Sequence, residues 1–297
     1  MELRVLHYFL AVAREQSISA AAESLHLSQP TLSTQLKAME EELGKQLLIR
    51  GTKGSRKVVL TEEGMILRKR AEEILSLVKR TEDEISRSDD TVVGTVSIGA
   101  GETDIVRYFA KAARTLQKRY PDIRYQISSG NAEYVLEYLD KGLIDFGLVF
   151  GEVDQRKYQS LPLPAKDTWG VLMRRDSPLA EKEAITPQDL WDKPLLLSHQ
   201  RGGSGALFRW LKRDASQLNV VATYNLVYNA SLLVDEGLGY ALTLDKLIHT
   251  EGTDMCFRPL SPGMEATAAI VWKKYQVFTK AADTFLRCLK EQLPQES

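Results

Sequence analysis

The sequence predicts an α+β multi-domain chain: an N-terminal winged helix-turn-helix, a long linker helix, and a C-terminal α/β region of two similar lobes. Three observations carry that prediction. Two helical patterns separated by a short break occupy residues 17–43 and lead into a hairpin pattern with a basic, glycine-containing tip. A long, highly charged helix with a narrow apolar seam follows. From Val92 onward the pattern alternates between strand and helix to the end of the chain.

Composition limits the function classes. At 297 residues, 43% hydrophobic and 27% charged, the chain is long enough for two or three cores of ordinary globular composition. A net charge of -1 leaves any polyanion-binding role to local charge. Two cysteines, Cys256 and Cys288, make no disulfide framework and suit a reducing compartment. Glu2, Arg4 and His7 interrupt the first ten residues, unlike a secretory leader, and no run approaches the roughly 18 apolar residues of a membrane span. The expected location is the cytoplasm, with no membrane partner.

In chain order, Leu3, Leu6, Phe9, Leu10 and Ala13 give an amphipathic first helix. Residues 17–25 form an alanine-rich helix, and after a short break Ser28 is placed to N-cap the next one, with Pro30 in its first turn. Leu32, Leu36, Met39 and Leu43 make a single apolar stripe, and Gly44 is a C-cap. The opposite face carries Pro30, Ser33, Thr34 and Lys37. Small hydrogen-bonding groups followed by a cation suit a helix lying in a DNA major groove. Gln29, Ser33 and Thr34 are the candidates for base edges, Pro30 and Thr31 for thymine methyls or backbone, and Lys37 for phosphate.

Residues 46–49 and 57–60 read as the strands of a hairpin around Arg50, Gly51, Lys53, Gly54 and Arg56, a wing without an acid. Thr61 N-caps the long helix, with Glu62 and Glu63 at its positive end. Leu67, Ala71, Ile74, Val78, Thr81 and Ile85 alternate steps of four and three, a seam that predicts a dimerisation helix and connector ending near residue 90. Strands at 92–99, 123–128 and 144–150, with helices at 104–120 and 132–141 between them, predict a parallel doubly wound unit. A second round begins with a strand at 169–174. Further strands fall at 195–198, 220–226, 240–244 and 256–260, and helices at 187–191, 206–215 and 230–236. A last strand at 267–272 and a last helix at 280–293 close the chain.

The residues Ser17-Ile18-Ser19-Ala20-Ala21-Ala22, Leu27-Ser28-Gln29-Pro30-Thr31-Leu32-Ser33, Leu43-Gly44, Arg50 and Leu60-Thr61-Glu62-Glu63-Gly64 resemble LysR-type transcriptional regulators. Weaker echoes, among them Gly142-Leu143-Ile144-Asp145 and Gly237-Leu238-Gly239, run to the end. Leu48 stands where the family usually has Phe, and Thr34 where a long side chain is frequent. The resemblance implies domains at 1–60, 61–90 and 91–297. It also implies a regulatory region like periplasmic binding proteins, with lobe 2 (about 163–264) inserted into lobe 1 (about 91–162 and 265–297). The crossings would fall at Leu161-Pro162-Leu163-Pro164 and Ser261-Pro262-Gly263. It further implies a homodimer or homotetramer on double-stranded operator DNA, Arg50 and Lys53 near the DNA backbone, a small-molecule effector, contact with RNA polymerase, and no bound cofactor or metal.

Strand ends and helix starts place the expected effector site at Gly101, Glu102, Thr103, Ser129, Asn131, Phe150, Ser198, His199 and Arg201. Arg201 and the glycines after it suit an anionic metabolite. Gly202-Gly203-Ser204-Gly205-Ala206 is close to a hydrolase nucleophile elbow, but Ala206 replaces the last glycine and Ser204 lies beyond the strand end. No catalytic residue is expected.

Overall fold

The computed structural model describes residues 1–51, 57–85, 92–198 and 201–294, and divides into two compact units, Met1–Ser88 and Asp89–Ser297. In the first unit, α1 (Leu3–Glu15), α2 (Ile18–Ser24) and α3 (Gln29–Leu43) enclose a core of Leu6, Phe9, Val12, Ala21, Leu32 and Leu36. The Ser28 hydroxyl accepts from the Thr31 amide at 3.3 Å, and Gly44 closes α3 at φ 63°, the left-handed conformation that glycine adopts most cheaply. Strands β1 (Leu48–Arg50) and β2 (Val58–Leu60) pair antiparallel, Ile49 opposite Val59.

Helix α4 (Glu62–Ile85) follows, capped by Thr61. The Thr61 hydroxyl accepts from the Gly64 amide at 3.0 Å and donates to the Gln46 carbonyl at 2.7 Å. A Cβ on Gly64 would stand 2.2 Å from the Leu47 carbonyl oxygen, so glycine is required where the helix meets the wing strand. The predicted seam divides. Leu67, Ala71 and Ile74 pack on the core of their own unit, whereas Ile85 is 80% exposed and Thr81 faces solvent. Periodicity alone could not separate these halves, because a heptad stripe looks the same whether its partner is α1 or another chain.

In the second unit β3 (Gly94–Ala100) lies between β4 (Ile123–Ser129) and β5 (Phe146–Phe150), all parallel, connected by α5 (Arg107–Arg119) and α6 (Ala132–Asp140). Strand β6 (Tyr158–Arg174) then runs without interruption from this lobe into the other, and β11 (Glu265–Lys273) returns beside it, antiparallel. The predicted connector at 161–164 is therefore part of a strand. Its ladder to β11 skips from Pro162↔Ala269 to Lys166↔Thr267, so Pro164, which has no N–H to donate, falls in the skip.

The second lobe contains α7 (Pro187–Leu190), β7 (Leu195–Ser198), α8 (Arg201–Leu211), β8 (Val220–Tyr224), α9 (Val227–Asp235), β9 (Tyr240–Leu244) and β10 (Met255–Pro259). Helix α10 (Lys280–Gln292) returns to the first lobe, where Phe285 lies 6.0 Å from Phe109 and 5.7 Å from Phe146 by ring centroid. The second unit thus begins and ends in one lobe, with the other inserted. Helix α8 starts five residues before its predicted position and α9 three, so that Gly202, Gly203, Gly205 and Asn229 lie within helices.

Candidate DNA interface and effector cleft

Helix α3 separates its two faces cleanly. Leu32, Leu36 and Met39 are buried, while Ser28, Gln29, Pro30, Thr31, Thr34 and Lys37 are exposed and Ser33 is half-buried. The Ser28 and Thr31 hydroxyls are 2.7 Å apart, so this pair is partly committed to the cap; Gln29, Thr34 and Lys37 project beyond it. A row of amide, hydroxyl and ammonium groups along an exposed helix supplies donors and acceptors for base edges and a cation for phosphate.

Arg50 also has a partner within its own unit. Its guanidinium donates to the Glu40 carboxylate at 3.1 Å, and Glu40 also accepts the Leu47 and Leu48 amides at 2.8 and 3.0 Å. Glu40 therefore fastens the wing hairpin to α3, and Arg50 completes its neutralisation. This fastening role of Glu40 was not anticipated from sequence. Lys53 and Arg56 lie outside the described residues.

In the regulatory unit, Gly101, Glu102 and Thr103 follow β3, Ser129 ends β4, Phe150 ends β5 and Asn131 caps α6, its carboxamide oxygen accepting from the Tyr134 amide at 2.8 Å. The carboxyl ends of three strands thus converge at one edge of the lobe. Two of these residues reach the other lobe or the strand leading to it. The Glu102 carboxylate accepts the Val227 amide at 2.5 Å, at the start of α9. The Thr103 hydroxyl donates to the Asp167 carboxylate on β6 and accepts the Ile105 amide at 3.0 Å.

Asp167 is 1% exposed, and burial raises its pKa above the ordinary carboxylate range; Asp245 raises it further, while the Thr103 hydrogen bond opposes both. Asp167 does not stand out in the sequence, because its burial depends on partners distant in the chain. Ser198 ends β7 half-buried, His199 lies outside the described residues, and Arg201 opens α8. Ser204 falls inside α8, not at a strand-to-helix turn, which removes the nucleophile-elbow geometry. A separate concavity of about 590 Å³ flanks the crossing strands at Gly151, Glu152, Ser160, Pro162 and Thr267, and includes none of the expected effector residues. Among the described residues no helix is long and apolar enough to cross a membrane.

A winged helix-turn-helix joined to a two-lobed α/β sensor defines a ligand-responsive class of DNA-binding regulator. Residues 3–65 match the bacterial regulatory helix-turn-helix protein, lysR family, and residues 89–294 match the LysR substrate binding domain. The chain belongs to the LysR family and is a DNA-binding transcriptional regulator, not an enzyme. It is 28% identical to the uncharacterized HTH-type transcriptional regulator YfeR of Shigella flexneri, over 98% of this chain and 94% of that protein. It is 29% identical to the Hca operon transcriptional activator HcaR of Escherichia coli, over 99% and 98%. Among solved structures, full-length CbnR complexed with its target DNA has the same fold, with a TM-score of 0.75 at 21% identity over 98% of this chain and 99% of that one.

Proposed function

We propose that this regulator binds an operator as a homodimer or homotetramer through α3 and the wing, and that a small anionic metabolite acting between the two lobes changes its hold on DNA. The carrying observation is the divided α3, whose apolar face fills a core and whose polar face meets solvent. Residues 1–60 would read DNA, 61–90 connect and dimerise, and 91–297 sense the effector. Leu77 and Ile85, exposed at the far end of α4, support self-association, as do Tyr228 and Leu232 on α9. The protein would act in the cytoplasm and contact RNA polymerase once on the promoter. The similarity to CbnR, a protein seen with its target DNA, supports the operator reading.

Gln29 would pair with adenine, Thr34 would accept or donate at an adjacent base edge, and Lys37 would meet phosphate. DNase I footprinting on the DNA upstream of its own gene should protect an interrupted dyad. Replacing Lys37 by Ala should weaken binding across all sequences and lower the salt slope by about one. Protection that survives Gln29→Ala, Thr34→Ala and Lys37→Ala together would remove α3 as the reading element. For the effector, a thermal-shift screen of small carboxylates and phosphates should find a ligand that raises Tm in proportion to the logarithm of its concentration.

A further inference from the structure

The loop after β3 joins the first lobe to the second. Helix α9 has no side-chain cap of its own: Leu226 occupies the N-cap position and contributes no hydrogen bond. The cap is supplied from the opposite lobe, by the Glu102 carboxylate at 2.5 Å from the Val227 amide. A carboxylate at a helix start gains from the orphan N–H groups and from the helix dipole together. The same charge is felt in the second lobe at Tyr224, which burial, opposed by the Thr243 hydrogen bond and aided by Glu102, pushes up to about 12. The next residue repeats the pattern, since the Thr103 hydroxyl is held by Asp167 on the crossing strand β6. Asp167 in turn adjoins Thr168, whose amide donates to the Asp245 carboxylate at 3.0 Å. Two consecutive side chains of one loop are therefore committed to α9 of the other lobe and to the crossing strand β6.

We infer that Glu102 is an interlobe latch, and that its release from α9 is the local event that lets the lobes change angle. Glu102 then does not contact effector in this arrangement; it occupies α9 with the protein's own negative charge. This rests on the proposed reading that lobe movement transmits the signal, while the contact itself is the Glu102–Val227 hydrogen bond. Its test needs no effector. Deletion of a charge-assisted hydrogen bond to a backbone amide changes a local opening equilibrium by about tenfold.

Hydrogen exchange would be followed by mass spectrometry on the full-length, ligand-free protein: wild type, Glu102→Gln, Glu102→Ala, and Asn131→Ala as a cap variant confined to one lobe. The latch predicts about tenfold faster exchange in the first turn of α9 for Glu102→Ala, with a smaller change for Glu102→Gln. It also predicts faster exchange where β6 and β11 cross, around Asp167, and an altered footprint of the same ligand-free protein on its operator. Asn131→Ala should affect only α6. Unchanged exchange at α9 would overturn the contact. Acceleration at α9 with unchanged crossing strands would reduce Glu102 to a helix cap and overturn the latch. Loss of every footprint, wild type included, would instead count against the DNA reading, while the exchange data still judged the latch.

Discussion

The outward face of α3 and the loop after β3 are both built from polar side chains, yet they use them in opposite ways. On α3, Gln29, Thr34 and Lys37 lie in solvent and leave their polar groups for a partner. On the loop, Glu102 and Thr103 already hold α9 and Asp167. A surface that must recognise something outside the molecule keeps its hydrogen-bonding groups available. The loop after β3 spends its groups internally, and under the proposed latch a stimulus would have to replace those bonds.

The comparison is broken most forcefully from the buried side of α3. Leu36→Ala should cost about 3 kcal/mol of stability, because a fully buried leucine leaves a cavity, whereas Thr34→Ala should leave stability nearly unchanged and alter DNA preference alone. Urea unfolding of both variants checks this, and equal losses would mean that the two faces are not separate. A smaller effect is expected at Glu40. Removing its carboxylate orphans the Leu47 and Leu48 amides and frees Arg50, at a cost of about 2 kcal/mol, and should loosen the wing before it unfolds the helices. Protease cleavage within residues 51–57, faster in Glu40→Ala than in wild type, is the expected signature.

The pH response sharpens the other side of the comparison. The pKa of Asp167 is raised in the folded protein, chiefly by burial, so between its unfolded and folded values the native state holds more protons than the unfolded chain. Its contribution to stability is therefore present at low pH and declines as pH rises through that window. Asp167→Asn should abolish the decline, making the variant gain on wild type as pH rises above the ordinary carboxylate range. Stability curves that stay parallel would show that Asp167 ionises without cost.

The smallest effect expected is none at all. Here both cysteines are buried, and burial raises the Cys288 thiol away from the reactive thiolate. Peroxide in the absence of reductant should leave the footprint unchanged, and a shifted footprint would mean that a thiol is reached.

Legibility followed the range of the interactions. Helix α3, its cap at Ser28 and its stop at Gly44 are local, set by neighbours three or four residues apart, and could be read directly. The division of the α4 seam was not legible, because Leu67 and Ile85 repeat with one period but meet different surroundings. Arg50 read as a wing cation, since its partner Glu40 is ten residues away across a turn. Residues 101–103 were located correctly at a strand end, but their partners Val227 and Asp167 come from distant parts of the chain. Strand β6 shows the same limit, as Pro162 and Pro164 argue for a break until the skipped ladder with β11 is known.

The central claim, that the exposed face of α3 reads DNA sequence, is tested most directly by selecting bound sites from random duplexes with full-length wild type, Gln29→Ala and Thr34→Ala. The account predicts a dyad for wild type and, for each variant, preference lost at one symmetry-related pair of positions, with the remaining positions and the stability unchanged. Identical selected sequences for all three proteins would contradict it.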